Sequence, residues 1–442
     1  MSKLEEVKRE IVKYDYVRFS LCDLNGTSRG QVVVGRHAAK YLEEGVDVLQ
    51  GILCGIPRKA YPLIDHDNNY NFGNDAIYPD LDTLRPIPWA HDEVKVAEIL
   101  CESRWKKDNS PQEACPRYVA RKQLQRLQEQ GYALFSGYEI EFKILDKETL
   151  TPVFECWNLH SHRLLTKHSK EIFNFDKQFQ LANIDVERYH VEAGPGNFEA
   201  IPKPKFGIES ADICMTVKEG LMEMAANLKQ HVLTFMAFPL SDENPFGTYS
   251  HLNFSLWNMS GECVFFEASA PDKLSVIAKY WIAGILKHSK ALCAFSNPTV
   301  NCYRGINKRF CPSAIFWGID DREASLRVKT EGPSKTYIEN RLSSGKCNPY
   351  LVLASTIAAG LDGVTNRLEC PPAGSSENAE TFPKTLEEAL EQLMQDDVLV
   401  SALGLELVTW FVKCKRDGEI DLFTDAETDE ERFALEKEYH LL

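Results

Sequence analysis

The chain has 442 residues and a formal charge of −15, with 44% hydrophobic and 26% charged residues. That balance is ordinary for a water-soluble globular protein with ample core, and its acidity argues against nucleic acid or an anionic membrane as the main partner. The 13 cysteines are odd in number and include no C-x-x-C pair, which predicts reduced thiols in a cytoplasmic protein and no cysteine-built zinc site.

The opening stretch "MSKLEEVKREIVKYDY" reads as a charged amphipathic helix, and no apolar run reaches the ~20 residues that cross a bilayer, so no membrane partner is expected. "YVRFSLCD" and "GQVVV" are predicted strands, and the Asn25-Gly26 pair between them is a hairpin signal. "RHAAKYLEEG" is a short helix ending on glycine. "YPDLDTLRPIPWA" is extended and proline-punctuated, and "EVKVAEILCE" is a further strand. The polar stretch 103–114 marks a boundary, giving expected domains at 1–103 and 104–442. Beyond it, helices are predicted over "CPRYVARKQLQRLQEQG" and over 208–229, 272–295, 348–363, 385–396 and 398–414. The acidic tail "DAETDEERFALEKEYHLL" is expected to be a solvated helix.

The residues that carry chemistry sit on the predicted strands. In "GYEIEF", alternation places Tyr138, Ile140, Phe142 and Ile144 on one face and Glu139 and Glu141 on the other. At roughly 7 Å and an effective dielectric of about 20, two carboxylates repel by about 2 kcal/mol, so an enclosed face needs a cation. "RYHVEAGPGNFEA" carries Glu192 and Glu199 around a glycine-proline turn, "GTYSHLNFSLW" carries His251, "TYIENRL" carries Glu339 and Arg341, and "DREASLRVK" carries Arg322 and Arg327. Five carboxylates with one imidazole suit Mg²⁺ or Mn²⁺, and nearby arginines suit a transferring phosphoryl group. "GPGN" lacks the third glycine of a dinucleotide fingerprint, and "GPSKT" lacks the first glycine of a phosphate loop.

On these motifs, together with "VRFSLCDLNGTSRG", "PDLDTLRPIPW" and "NPYLVLASTIAAGLDG", the chain resembles the glutamine synthetase family over nearly its whole length. Within that family it looks most like the lens-associated animal branch, the lengsins. The resemblance implies an α+β fold with a small N-terminal β-grasp domain and a larger domain whose antiparallel sheet lines a funnel. It implies two metal sites, Glu141, Glu192 and Glu199 holding one Mg²⁺ or Mn²⁺ and Glu139, His251 and Glu339 the other. ATP is an implied cofactor, with Arg322 and Arg327 facing its phosphates and Arg322 and Arg341 in catalytic roles, Arg341 toward the glutamate substrate or acyl phosphate. A homo-oligomer of two stacked hexameric rings, and an intermediate-filament partner from the lengsin branch, are implied as well.

The family reaction phosphorylates the γ-carboxylate of glutamate and then lets ammonia attack, and the second half needs an anionic pocket. Here Gln50 stands near the place of an expected aspartate, and Phe310 or Cys311 replaces the flap glutamate. Gly305, with Arg304 beside it, replaces a substrate-binding arginine; Phe246 replaces an asparagine and Tyr337 a basic residue. The expectation is a homologue that keeps the dimetal site but makes little or no glutamine, acting as an oligomeric scaffold. The alternative is a Mg- or Mn- and ATP-dependent γ-glutamyl ligase using an amine other than ammonia.

Overall fold

The structure is a computed structural model that describes residues 2–55, 73–155, 158–239, 246–306, 311–374, 377, 379–424 and 426–441. Phe310, one of the two residues expected at the flap position, lies outside them.

The N-terminal part is one mixed sheet. Strands β1 (Tyr16–Cys22), β2 (Ser28–Val34), β3 (Val46–Leu49), β4 (Asn74–Pro79), β5 (Arg85–Pro86) and β6 (Val96–Arg104) run in the order β2-β1-β6-β4-β3, with β5 also on β6. The β1–β6 pair is parallel and the β1–β2 pair is the predicted hairpin, turning at Gly26 with φ 79°. Helix α2 (Gly35–Glu44) packs against this sheet and ends at Gly45 with φ 72°, and α1 (Lys3–Ile11) packs against α2. The expected boundary at 103 falls at the penultimate residue of β6.

Arg117, at the start of α3 (Pro116–Glu129), joins this sheet to the rest of the chain. It is 2% exposed and donates to Asp80 at 2.8 Å, Glu102 at 3.1 Å and Asp212 at 2.9 Å. A buried guanidinium is tolerable only when its donors are matched in this way.

Two further sheets build the funnel. The first contains β8 (Ile140–Asp146), β9 (Val186–Val191), β10 (Asn197–Pro202) and β12 (His231–Thr234), in the order β12-β8-β10-β9. The second contains β7 (Tyr132–Tyr138), β11 (Lys205–Phe206), β13 (Leu252–Asn258), β15 (Trp317–Ile319), β16 (Leu326–Thr330) and β17 (Thr336–Asn340), in the order β11-β7-β13-β17-β16-β15. Every pairing in these two sheets is antiparallel except β15 with β16. A short β14 (Ala314–Ile315) lies apart from both. Glu139 is the single residue between β7 and β8, so the chain changes sheets there.

The remaining helices cover the outer faces. They are α4 (His162–Lys167), α5 (Ser169–Leu181), α6 (Glu209–Ala226), α7 (Val276–Ser296), α8 (Pro349–Asn366), α9 (Leu386–Gln395), α10 (Asp397–Leu403), α11 (Leu405–Lys415), α12 (Asp421–Thr424) and α13 (Asp429–Leu441). Asn348 caps α8, accepting from Tyr350 N–H at 3.0 Å, while its amide donates to Asp23 O at 2.9 Å on the N-terminal sheet. The helix expected over 398–414 is two helices, broken at Gly404, whose φ of 105° no α-helix contains.

The acidic tail is helical and solvated on one side, with Glu427, Asp429, Glu430, Glu431 and Glu438 exposed, but its other side is buried. Glu436 is wholly buried and accepts from Arg304 Nε and from Asn301 Nδ2, each at 2.8 Å. His440 is buried beside Glu419 at 3.7 Å. The tail's charges find partners far away in sequence, which a reading of local polarity does not reveal.

Candidate functional site

Register aims the carboxylates. Tyr138, Ile140, Phe142 and Ile144 are each no more than 2% exposed, so the core fixes one face of the β7–β8 path and the opposite face carries Glu139 and Glu141. The backbone N–H groups of Glu139 and Glu141 donate to His251 O at 3.0 Å and Tyr249 O at 2.9 Å. The segment leading into β13 is thereby laid against the change of sheet, and His251 meets Glu139.

The first convergence is complete in one place. His251 Nδ1 lies 3.3 Å from Glu139 Oε2 and 3.5 Å from Glu339 Oε1. One ligand atom from each of these residues falls within 4.8 Å of the others. Burial works against the charge on His251, but the Glu139 hydrogen bond and the Glu339 charge outweigh it and hold the imidazole above its usual range. Burial also opposes ionisation of Glu139, which His251, Asn253 and Arg341 offset, leaving that carboxyl below its usual range.

The other expected set is more open. Glu141 and Glu199 stand directly opposite on β8 and β10, each 5% exposed. Burial, then the charges of Glu192 and Glu199, push Glu141 well up; burial, then Glu139, Glu192 and Glu339, do the same to Glu199. Glu192 follows β9 and accepts from Ala193 N–H at 2.8 Å. These three line the same funnel but do not close on one point. His190 stands between two of them, Nδ1 3.4 Å from Glu192 and Nε2 3.2 Å from Glu199.

The arginines occupy distinct situations. Arg327 Nη1 donates to Glu339 Oε2 at 3.0 Å, and Arg341 Nε donates to Glu339 Oε1 at 3.1 Å. Arg341 Nη1 is buried with no partner among the described residues. Arg322 is exposed on the funnel rim and makes no ion pair among the described residues. The funnel, about 480 Å³, is bounded by all nine of the residues expected at the site: Glu139, Glu141, Glu192, Glu199, His251, Glu339, Arg322, Arg327 and Arg341. Beside it lies a cleft of about 370 Å³ with apolar walls at Phe135, Ile201, Pro202 and Pro204; Glu139 and Arg188 border both spaces.

Several residues of this site escape a reading of the sequence. His190 shares its face of β9 with Glu192 by period two, a signal present in "HVE". Lys143 continues the row of Glu139 and Glu141; it is wholly buried, donates to Pro195 O at 3.2 Å, and burial lowers its pKa to about 8 against the pull of Glu141 and Glu192. His160 and Arg188 carry no sequence signal that distinguishes them from surface residues.

The departures have structural causes. A Cβ on Gly305 would meet Phe238 Cζ at 1.6 Å, so the ring fills the space a longer side chain would need. Arg304 does not take over, because it is drawn away to Glu436 and Asp429 and lies 5.0 Å from the centre of the Phe433 ring. Phe246 lines the funnel over Gly194, whose φ is 97° and where a Cβ would come within 2.4 Å of Phe246 Cβ. Gln50 lies in the turn after β3 and does not line the funnel of its own chain.

The chain matches the family model described as the glutamine synthetase catalytic domain over residues 113–434. It is 31% identical to lengsin of Rattus norvegicus, over 96% of this chain and 77% of that one. It is also 31% identical to glutamine synthetase of Thermotoga maritima, over 93% of this chain and 94% of that one. A solved structure described as apo GmaS without ligand superposes with a TM-score of 0.84 at 24% identity, covering 98% of this chain and 99% of that one, which speaks for the fold. The α+β architecture, the two sheets around one acidic funnel and the long match therefore agree, and the chain belongs to the glutamine synthetase family.

Proposed function

We propose that this chain binds ATP and divalent cations and activates a carboxylate substrate for attack by an amine other than ammonia, making little glutamine. The observation that carries the reading is the convergence of Glu139, His251 and Glu339 within 4.8 Å inside a funnel. Two carboxylates and an imidazole fit Mg²⁺ or Mn²⁺, as do the buried and mutually repelling Glu141 and Glu199 beside Glu192. When bound, such ions neutralise charge between phosphate and carboxylate groups.

The chain's own residues supply the rest. The cleft of about 370 Å³ supports this reading, because a nucleoside there would have its phosphates at the junction with the funnel, where Glu139 and Arg188 border both spaces. Arg322 and Arg327 offset charge on the transferred phosphoryl group, and Arg341, with its unmatched Nη1, orients the carboxylate. Gln50 has no charge to offset an ammonium ion and does not line this chain's funnel, whereas Leu159, Phe246 and Tyr249 do line it and give an amine with an apolar body something to pack against. The test is ATP-dependent phosphate release with Mg²⁺ or Mn²⁺ across a panel of amines. Turnover with a larger amine above that with ammonia is expected, and no release with any amine would sink the reading.

A second reading is favoured by the ties that hold Arg304 to the last helix and Arg327 and Arg341 to Glu339. It is an oligomeric cytoplasmic scaffold of the lengsin kind, a dodecamer of two hexameric rings with an intermediate-filament partner, built from domains 1–103 and 104–442. Light scattering on the eluting protein tests the assembly, and a monomer would contradict it.

A further inference from the structure

A second convergence of ligand atoms lies apart from Glu139, His251 and Glu339. His160, in the turn before α4, His190 on β9 and Glu192 after it each bring one donor atom within 4.8 Å of the others. His160 has a left-handed backbone, with φ 58°, a conformation unfavourable for a non-glycine residue. Its N–H donates to Val191 O at 2.9 Å, which ties the turn to the end of β9. The two imidazoles meet edge to face, with ring centres 4.7 Å apart.

The orientation of His190 matters most. Its Nε2 lies 3.2 Å from Glu199 Oε1 and its Nδ1 3.4 Å from Glu192 Oε2. Nδ1 also lies 3.3 Å from Val191 O, an acceptor for a proton on that nitrogen in the metal-free chain. With the proton instead on Nε2 and donated to Glu199, the Nδ1 lone pair is left on the side of Glu192 for a cation. A carboxylate that holds the far nitrogen of a ligating histidine is the usual way such a ring is fixed. Two imidazoles and one carboxylate form a borderline donor set, suited to Zn²⁺ in four coordination with one position left open. The oxygen-rich sets deeper in the funnel have a different preference. All three residues border the funnel, so the open position faces the space where a substrate enters.

We propose that His160, His190 and Glu192 form a Zn²⁺ site at the funnel wall. Because Glu192 also belongs to the Glu141–Glu192–Glu199 set, Zn²⁺ there withdraws a ligand from that set and weakens its hold on Mg²⁺ or Mn²⁺. The Zn²⁺ site itself needs no ligase activity, and only the antagonism rests on the metal assignment above.

The test uses the full chain, stripped with chelator and desalted, and Co²⁺ as a coloured stand-in for Zn²⁺. Four-coordinate Co²⁺ gives an intense visible band that six-coordinate Co²⁺ lacks. The band is expected in the unaltered protein, is displaced by Zn²⁺, and is retained by His251→Ala. His160→Asn, which keeps a residue tolerant of the left-handed backbone, is expected to weaken Co²⁺ binding by about tenfold or more. Its thermal stabilisation by Mn²⁺ should be unchanged, which also verifies folding. No intense band in the unaltered protein, or a band lost in His251→Ala and kept in His160→Asn, overturns the site. Zn²⁺ should reduce Mn²⁺ stabilisation in the unaltered protein and not in His160→Asn, and equal reduction in both overturns the antagonism. A band with no Mn²⁺ stabilisation at all would defeat the metal-dependent reading and leave the Zn²⁺ site standing.

Discussion

Replacing Glu199 by glutamine should make the metal-free protein more stable while impairing its response to metal. Glu199 and Glu141 face each other across β10 and β8, both 5% exposed. Side chains directly opposite on antiparallel strands have Cβ atoms about 5 Å apart. At an effective dielectric of about 20, two full charges at that distance repel by ~3 kcal/mol. Burial and neighbouring carboxylates raise both groups above their usual range, so protonation relieves part of the repulsion. The sign follows from that direction: the stabilisation from protonating Glu141 and Glu199 is present at low pH and is lost as pH rises through their folded-state values. Glu199→Gln removes one charge and keeps an acceptor for His190 Nε2. In chelator at about pH 8 the variant should therefore gain ~1–3 kcal/mol over the parent, with a smaller gain at about pH 6. Mn²⁺ at about 100 times its dissociation constant should stabilise the parent by ~2.7 kcal/mol and the variant by clearly less. Chemical unfolding at both pH values, with and without Mn²⁺, measures all of this. A variant less stable than the parent in chelator at the higher pH, or equally stabilised by Mn²⁺, would refute the reasoning.

Three further outcomes are expected. His288 is buried between Asp396 at 2.5 Å and Asp362 at 3.0 Å; burial lowers its pKa, but the two carboxylates outweigh burial and raise it. Its contribution is complete below the usual histidine value of about 6.5 and is lost as pH rises through the folded-state value, so His288→Gln should cost ~3 kcal/mol at about pH 6 and flatten the alkaline fall in melting temperature; an unchanged slope would exclude that role. Glu436→Ala leaves Arg304 without its buried partner and should cost ~3 kcal/mol, with faster proteolysis of α13 as the second readout. Gly360→Ala, which would stabilise an exposed helix, places a Cβ 2.1 Å from Trp281 Cε2 and should lower stability by ~1–3 kcal/mol in thermal unfolding.

The fold is legible in the sequence where a period is enforced by the core. The alternation in "GYEIEF" fixes the β7–β8 face, and the glycine-proline turn between Glu192 and Glu199 joins β9 to β10 through Gly194 and Gly196, both at positive φ. The break at Gly404 was marked by its glycine, which a continuous helix over 398–414 passes over. The last helix is harder: Glu436 and His440 are polar residues on a buried face, and only their distant partners Arg304, Asn301 and Glu419 make that burial tolerable. His160 belongs to the same class. It lies in a turn with no period, and nothing local announces that His190 will stand beside it.

The strands and the loops carry different kinds of information about function. A slip of one residue in the β7–β8 register would drive Glu139 and Glu141 into the core and expose Tyr138, Ile140 and Phe142, so the aim of the carboxylates follows from folding itself. Their convergence carries the metal-binding part of the proposed reading, and the choice of substrate rests on the positions around it. The altered positions at Gln50, Phe246, Gly305 and Cys311 have no such guarantee, because they lie between strands, unlike Tyr337 on β17. Yet the vacancy at Gly305 is not a free one: the Phe238 ring occupies it, and Arg304 is committed to Glu436. Restoring an arginine at Gly305 alone would collide with Phe238, and freeing Arg304 would leave the buried Glu436 carboxylate with the neutral Asn301 amide and no charged partner. The altered half of the site is thus packed into the molecule as firmly as the metal-type half, which is what a surface shaped for a different substrate requires and what simple decay of an unused site does not produce.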